Sequence, residues 1–137
     1  MKLEYYSLAK LDDPIFLSKF EKQKKELDEQ AMLQVRHMLI CNHKGIDLTL
    51  SCFLQPEDPA FVMPDKKTVK QVIELMLALN PSWSKDNISH MLGISTTGSN
   101  RLLNYWLNES SERQINKSNW FLLASKAGLL FLTVSKV

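Results

Sequence analysis

One glycine constrains this chain more than any other residue. Gly93 is set between two short stretches whose apolar spacing is helical on both sides. Upstream, Ile88, Met91 and Leu92 fall at the i, i+3, i+4 spacing of a single helix face. Ser84 is suited to cap that helix, its hydroxyl taking an orphan backbone N–H, and Asp86 follows near the positive end of the helix dipole. Gly93 stands where a helix ends in the left-handed conformation that glycine adopts without strain. After Ile94, which can plug the angle between two helices, comes a run of small polar residues: Ser95, Thr96, Thr97, Gly98, Ser99 and Asn100. A second helix then carries Leu102, Leu103, Trp106 and Leu107 on its buried side.

Short hydrogen-bonding side chains and one arginine at the front of a helix, with bulky apolar anchors behind, are what insertion of a helix end into the DNA major groove requires. Thr96, Thr97, Ser99 and Asn100 are suited to phosphates or base edges. Arg101 has the fork that reads guanine, and Asn104, one turn on, the amide that reads adenine.

The pattern Ile-Ser-x-x-Leu-Gly-Ile-Ser over residues 88 to 95 is followed by the polar turn and by Leu103-x-x-Trp106-Leu107. Ile115, Trp120, Leu122, Leu123, Ala127 and Gly128 close the segment. It resembles the lambda-repressor-like, Cro/C1-type helix-turn-helix family, whose plasmid- and phage-borne members often show the closing Trp-x-Leu-Leu. The resemblance lies in the carboxyl-terminal part alone. It implies a sequence-specific DNA-binding protein, a dimeric transcriptional regulator of a mobile element or its host. A transfer or partition accessory protein that binds DNA without controlling a promoter, or an interaction module on the same fold, are the alternatives. The family has an alanine where Ser89 stands. It also places its second anchoring pair at positions equivalent to Ser99 and Leu102, so the pair Leu103 and Trp106 implies a longer turn or a longer recognition helix.

The formal charge of +2 over 137 residues says little by itself. From Ser84 onward, however, six basic residues (Lys85, Arg101, Arg113, Lys117, Lys126, Lys136) face three acidic ones (Asp86, Glu109, Glu112), while the first 83 residues hold eleven and twelve. The positive excess thus lies on the segment meant for phosphate. Arg113 and Lys117 flank a helix start whose N–H groups also suit an anion. Cys41 and Cys52 make no disulfide framework and Met1 to Tyr6 no signal sequence, so a reducing cytoplasm is expected. No apolar run approaches the length of a membrane span. His37, Cys41, His43 and Cys52 match no zinc spacing, and no nucleophile sits in a recognisable turn or phosphate loop. No enzyme, metal or cofactor is expected, and neither the operator nor an effector can be read.

Asp12-Asp13-Pro14 opens a helix that should run to about Cys41, since no glycine or proline interrupts it. Its first half shows only Phe16, Leu17, Phe20 and Leu27 among charges, which fits a dimerisation arm or a half-exposed helix on its own domain. Its second half, with Met32, Leu33, Val35, Met38 and Leu39, reads as core. Residues 2 to 11 read as an edge strand or extended arm. Residues 46 to 54 alternate like a strand, able to pair with 129 to 135 unless that end forms an apolar dimer patch. A helix over 65 to 79 carries Val69, Val72, Ile73, Leu75, Met76 and Leu79. The expected fold class is mainly α: a helix-turn-helix bundle of four to five helices with a long N-terminal helix, and room for a small two- or three-stranded β element. Residues 1–64 form the N-terminal helical region for dimerisation or support. Residues 65–137 form the DNA-binding domain, with double-stranded DNA and a second copy of the chain as partners.

Overall fold

The computed structural model describes residues 13–43 and 45–133, and of 41–43 the backbone alone. Its α-helices are α1 (Pro14–His43), α2 (Lys66–Leu79), α3 (Lys85–Met91), α4 (Thr97–Leu107) and α5 (Lys117–Lys126). The chain is mainly helical, and the described residues contain no strand. None of the described helices is long and apolar enough to cross a membrane. The arm or strand read over residues 2 to 11 lies outside the described residues.

Helix boundaries follow from side chains that satisfy orphan backbone groups. The Asp13 carboxylate accepts the Ile15 N–H at 2.9 Å, and Asp65 accepts the Thr68 N–H at 2.7 Å. Asn116 does the same for Asn119 at 2.8 Å, each contact satisfying one of the four unpaired donors at a helix start. Both α3 and α5 end in a paired-bond glycine cap. Gly93 (φ +70) donates to the His90 carbonyl while Ile94 donates to that of Ser89. Gly128 (φ +76) donates to Ser125 while Leu129 donates to Ala124.

The core forms where α2 packs against α4 and α5, with α3 against α4. α2 buries Val69, Val72, Ile73, Leu75 and Met76, each worth about 1.5–3 kcal/mol when fully withdrawn from water. Trp120 is fully buried, and its indole N–H donates to the Cys52 carbonyl at 2.8 Å. Phe53 tilts against that indole, ring centroids 5.6 Å apart. Burial pushes the Cys52 thiol up to about 11, so it stays protonated at neutral pH. Leu122, read as core, is instead 37% exposed, and Phe121 and Ala124 take its place on the buried side of α5.

Two further expectations are corrected. Residues 46–54 form a turn and a 3-10 helix over Ser51–Phe53 rather than a strand. Asp47 is the cause: its carboxylate accepts the Thr49 N–H at 2.9 Å and the Thr49 hydroxyl at 2.6 Å, closing the chain on itself. Those bonds, the hydroxyl first, hold the Asp47 carboxyl below the usual range. The expected partner strand over 129 to 135 is absent over its described residues, 129–133, the rest lying outside them, and one side chain meets this segment instead. Gln55 donates its amide to the Phe131 carbonyl and accepts the Thr133 N–H at 3.1 Å.

The second half of α1, expected in the core, is largely solvated. Met32, Val35 and Leu39 are 55–61% exposed, and among the described side chains of α1 only Gln34 is buried. The helix meets the bundle through Gln34 and through His37, whose Nδ1 donates to the Ala127 carbonyl at 3.0 Å, a group that can only accept. Gly128 permits this approach, since a Cβ there would lie 2.6 Å from His37 Nδ1. Both polar atoms of the Gln34 amide are buried without a hydrogen-bond partner.

Candidate nucleic-acid interface

Helix α3 is held at its start by Asn87, whose side-chain oxygen accepts the Ser84 N–H at 2.8 Å. It buries Ile88 and Ser89 completely. After Gly93 the chain does not enter a right-handed helix at once. Gly98, Ser99 and Asn100 all have positive φ (67°, 55° and 63°), so the first turn of α4 winds left-handed before the regular helix begins. Leu103 and Trp106 are buried behind it at 0% and 2% exposure, while Ser99 is exposed. The anchoring pair is therefore the later one, and the turn is longer than the three or four residues usual between such helices.

Asn100 explains how this turn is held. It is 7% exposed, its amide nitrogen donates to Asp86 Oδ1 at 2.6 Å, and its oxygen accepts from the buried Ser89 hydroxyl at 2.8 Å. Asparagine tolerates the left-handed region better than most residues, and here its side chain ties the turn to α3. Read from sequence as a base-contacting residue, Asn100 points inward and pins the turn. The signal for this was Ser89: a hydroxyl on a helix's buried face needs a partner nearby.

Above the pin, Ser95, Thr96, Thr97, Gly98, Ser99 and Arg101 are all exposed. The Ser95 hydroxyl donates to Thr97 Oγ1 at 2.6 Å and accepts the Thr97 N–H at 3.0 Å, so the tip is ordered by its own short side chains. Arg101 folds over the glycine of the turn; a Cβ at Gly98 would lie 3.0 Å from its Nε and Nη2. Lys85 donates to Asn104 Oδ1 at 2.9 Å, and Asn104 donates to the Ser99 carbonyl at 2.8 Å. Lys85, Ser99, Arg101 and Asn104 thus gather around one exposed tip with Thr96 and Thr97.

Arg113 and Lys117 do not join them. The Arg113 guanidinium lies 4.7 Å from the centroid of the Tyr105 ring, near the far end of α4. Lys117 donates to the Pro56 carbonyl at 2.7 Å and sits 4.8 Å from the centroid of the Phe61 ring. The sequence reading missed Lys66, whose ammonium donates to the carbonyls of Tyr105 at 2.7 Å and Arg113 at 2.6 Å. It fastens the end of α4 to the start of α2, and nothing in the sequence marks it.

A concavity of about 220 Å³ lies between α1 and the carboxyl-terminal segment, lined by Leu33, Gln34, His37, Ser125 and Leu130 among others. His37 and Ser125 line it, but no carboxylate does. Among the described residues no group of three His, Cys, Asp or Glu could hold a metal ion. No family model, no curated protein and no solved structure matches this chain.

Proposed function

We propose that this chain binds double-stranded DNA sequence-specifically and acts in the cytoplasm as a dimeric transcriptional regulator of a mobile element or its bacterial host. One observation carries the reading: a tip of small polar residues and Arg101 stands exposed, pinned from beneath by Asn100 and backed by Leu103 and Trp106. Such a tip presents donors and acceptors in a fixed arrangement, which base-edge recognition requires. Arg101 and Asn104 read bases with Thr96, Thr97 and Ser99, and Lys85 anchors a phosphate. Asn100 leaves the contacting set for the pinning role, while Arg113 and Lys117 serve at most as flanking phosphate contacts.

The test is selection of bound fragments from a random duplex pool, followed by titration of the selected site and of a scrambled duplex. Arg101→Ala should weaken the selected site by about 1–3 kcal/mol and leave the scrambled one nearly unchanged. Lys85→Ala should weaken both alike and lower the salt slope by about one. Absence of salt-dependent retention on any duplex would reject the reading in favour of a protein-interaction module.

A further inference from the structure

We propose that α1 is the self-association surface of this protein, and that two copies pair it antiparallel about a crossing near residues 33 and 34. This rests on the dimeric part of the reading above and specifies which surface makes the dimer and in which sense. Ten large apolar side chains of α1, from Ile15 to Ile40, are 36–74% exposed. At roughly 180 Å² for each free residue this is roughly 900 Å² spread around the helix, of which Met32, Val35 and Leu39 give roughly 320 Å² on one face, within the roughly 300–600 Å² of a typical monomer's largest patch.

The geometry of the helix selects a stripe. At 100° per residue, Asp28, Met32, Val35 and Leu39 recur at steps of four, three and four and share one face, roughly opposite the Gln34–His37 edge that meets the bundle. Docking on the bundle and pairing with another helix therefore use different sides of α1. That spacing is the seam of a two-helix coil.

The charges select the occupant and the direction. Glu29 and Arg36 flank the seam on one side, Ala31 and Met38 on the other. In an antiparallel pair Met32 of one copy lies level with Val35 of the second. Glu29 then falls beside Arg36 of the second copy, and Arg36 beside its Glu29, two opposite-charge contacts generated by one two-fold axis. The same two-fold sets Asp28 beside Leu39 of the second copy, one charge against an apolar side chain, whereas a parallel pair would set Asp28 against Asp28 and Lys25 against Lys25 in the seam itself. Self-complementarity about a point within one helix is what a two-fold partner of the same sequence demands. The mixed charge of the surface suits neither phosphate nor a lipid face.

Sedimentation equilibrium on the full chain tests this. Glu29→Arg and Arg36→Glu should each weaken the dimer about tenfold, and the two together should restore it to within about threefold of the parent, because the exchanged charges again face opposites. Val35→Asp should weaken it at least about a hundredfold. All three positions are exposed, and circular dichroism should show unchanged helix in every variant. A chain that is monomeric at about 100 μM, a dimer indifferent to Val35→Asp, or a double variant as weak as the singles overturns the proposal. A monomer that still binds duplex would refute the pairing and spare the DNA reading, whereas a dimer that ignores duplex would do the reverse.

Discussion

Replacing Asn100 by alanine removes the pin beneath the exposed tip, and the cost can be built from three parts. The bond to Asp86 at 2.6 Å is charge-assisted, but Asp86 is solvent-exposed, so about 1 kcal/mol is lost there. The Ser89 hydroxyl, fully buried, loses its acceptor at a further cost of about 1 kcal/mol or more. Alanine at φ 63° adds about 1 kcal/mol that asparagine largely avoids. Asn100→Ala should therefore destabilise the fold by about 3 kcal/mol, and Asn100→Gly, which escapes the backbone part, by about 2 kcal/mol. Urea unfolding followed by tryptophan fluorescence reads this directly, since Trp106 and Trp120 are buried. At a slope of about 2 kcal/mol per molar, the alanine midpoint should fall by about 1.5 M. Asn100→Asp adds a sign test. Its carboxylate would lie beside that of Asp86, raising its folded pKa above the unfolded value. The folded state then binds more protons, so the stability deficit should be full at neutral pH and shrink as pH falls through the carboxylate range. An alanine midpoint within about 0.3 M of the parent, or equal losses for alanine and glycine, would refute this account of the turn.

Two other measurements probe the rest of the fold. Gly128→Ala combines a left-handed φ with a Cβ that would lie 2.6 Å from His37 Nδ1, and should cost about 1–3 kcal/mol. His37→Ala removes that clash, so a double-mutant cycle should show the pair costing less than the sum of the singles. Asp65 caps α2, and its carboxyl is held below the ordinary aspartate range by the Thr68 side chain and then by the Thr68 N–H. Its contribution is complete above the unfolded pKa and lost as pH falls through the lowered folded value. Since Asp65 is mostly exposed, acid titration of Asp65→Asn should flatten that limb by only a few tenths of a kcal/mol.

Residues whose effect is local made the helical parts readable. Ser84 and Gly93 act within a few positions of themselves, and the helix ends they imply stand where expected; Asp65 and Gly128 act as locally, capping α2 and closing α5. The strand over 46–54 failed because its alternation of β-prone types was outweighed by one contact, Asp47 with Thr49, that pattern alone does not weigh. The apolar second half of α1 reads as core by composition, yet its own chain covers little of it. A sequence reports that apolar surface must be covered without reporting by what. The tip was legible as a set of exposed polar residues, but not the inward turn of Asn100. Polar side chains look alike whether they face solvent or a buried hydroxyl, and only the placement of Ser89 separates the two.

The contact of Gln55 with residues 131 and 133 bears on edge-to-edge association of that segment. A glutamine carries a peptide-like amide at the end of its side chain, so it can occupy one rung of a ladder as a neighbouring strand would. A real strand, having paired on one side, would pass an unsatisfied row of N–H and C=O groups to its other side, ready to template further chains. An amide borrowed from a side chain passes on nothing. With Phe131 and Leu132 half exposed beside it, that stopper occupies one side of the segment without offering an edge of its own.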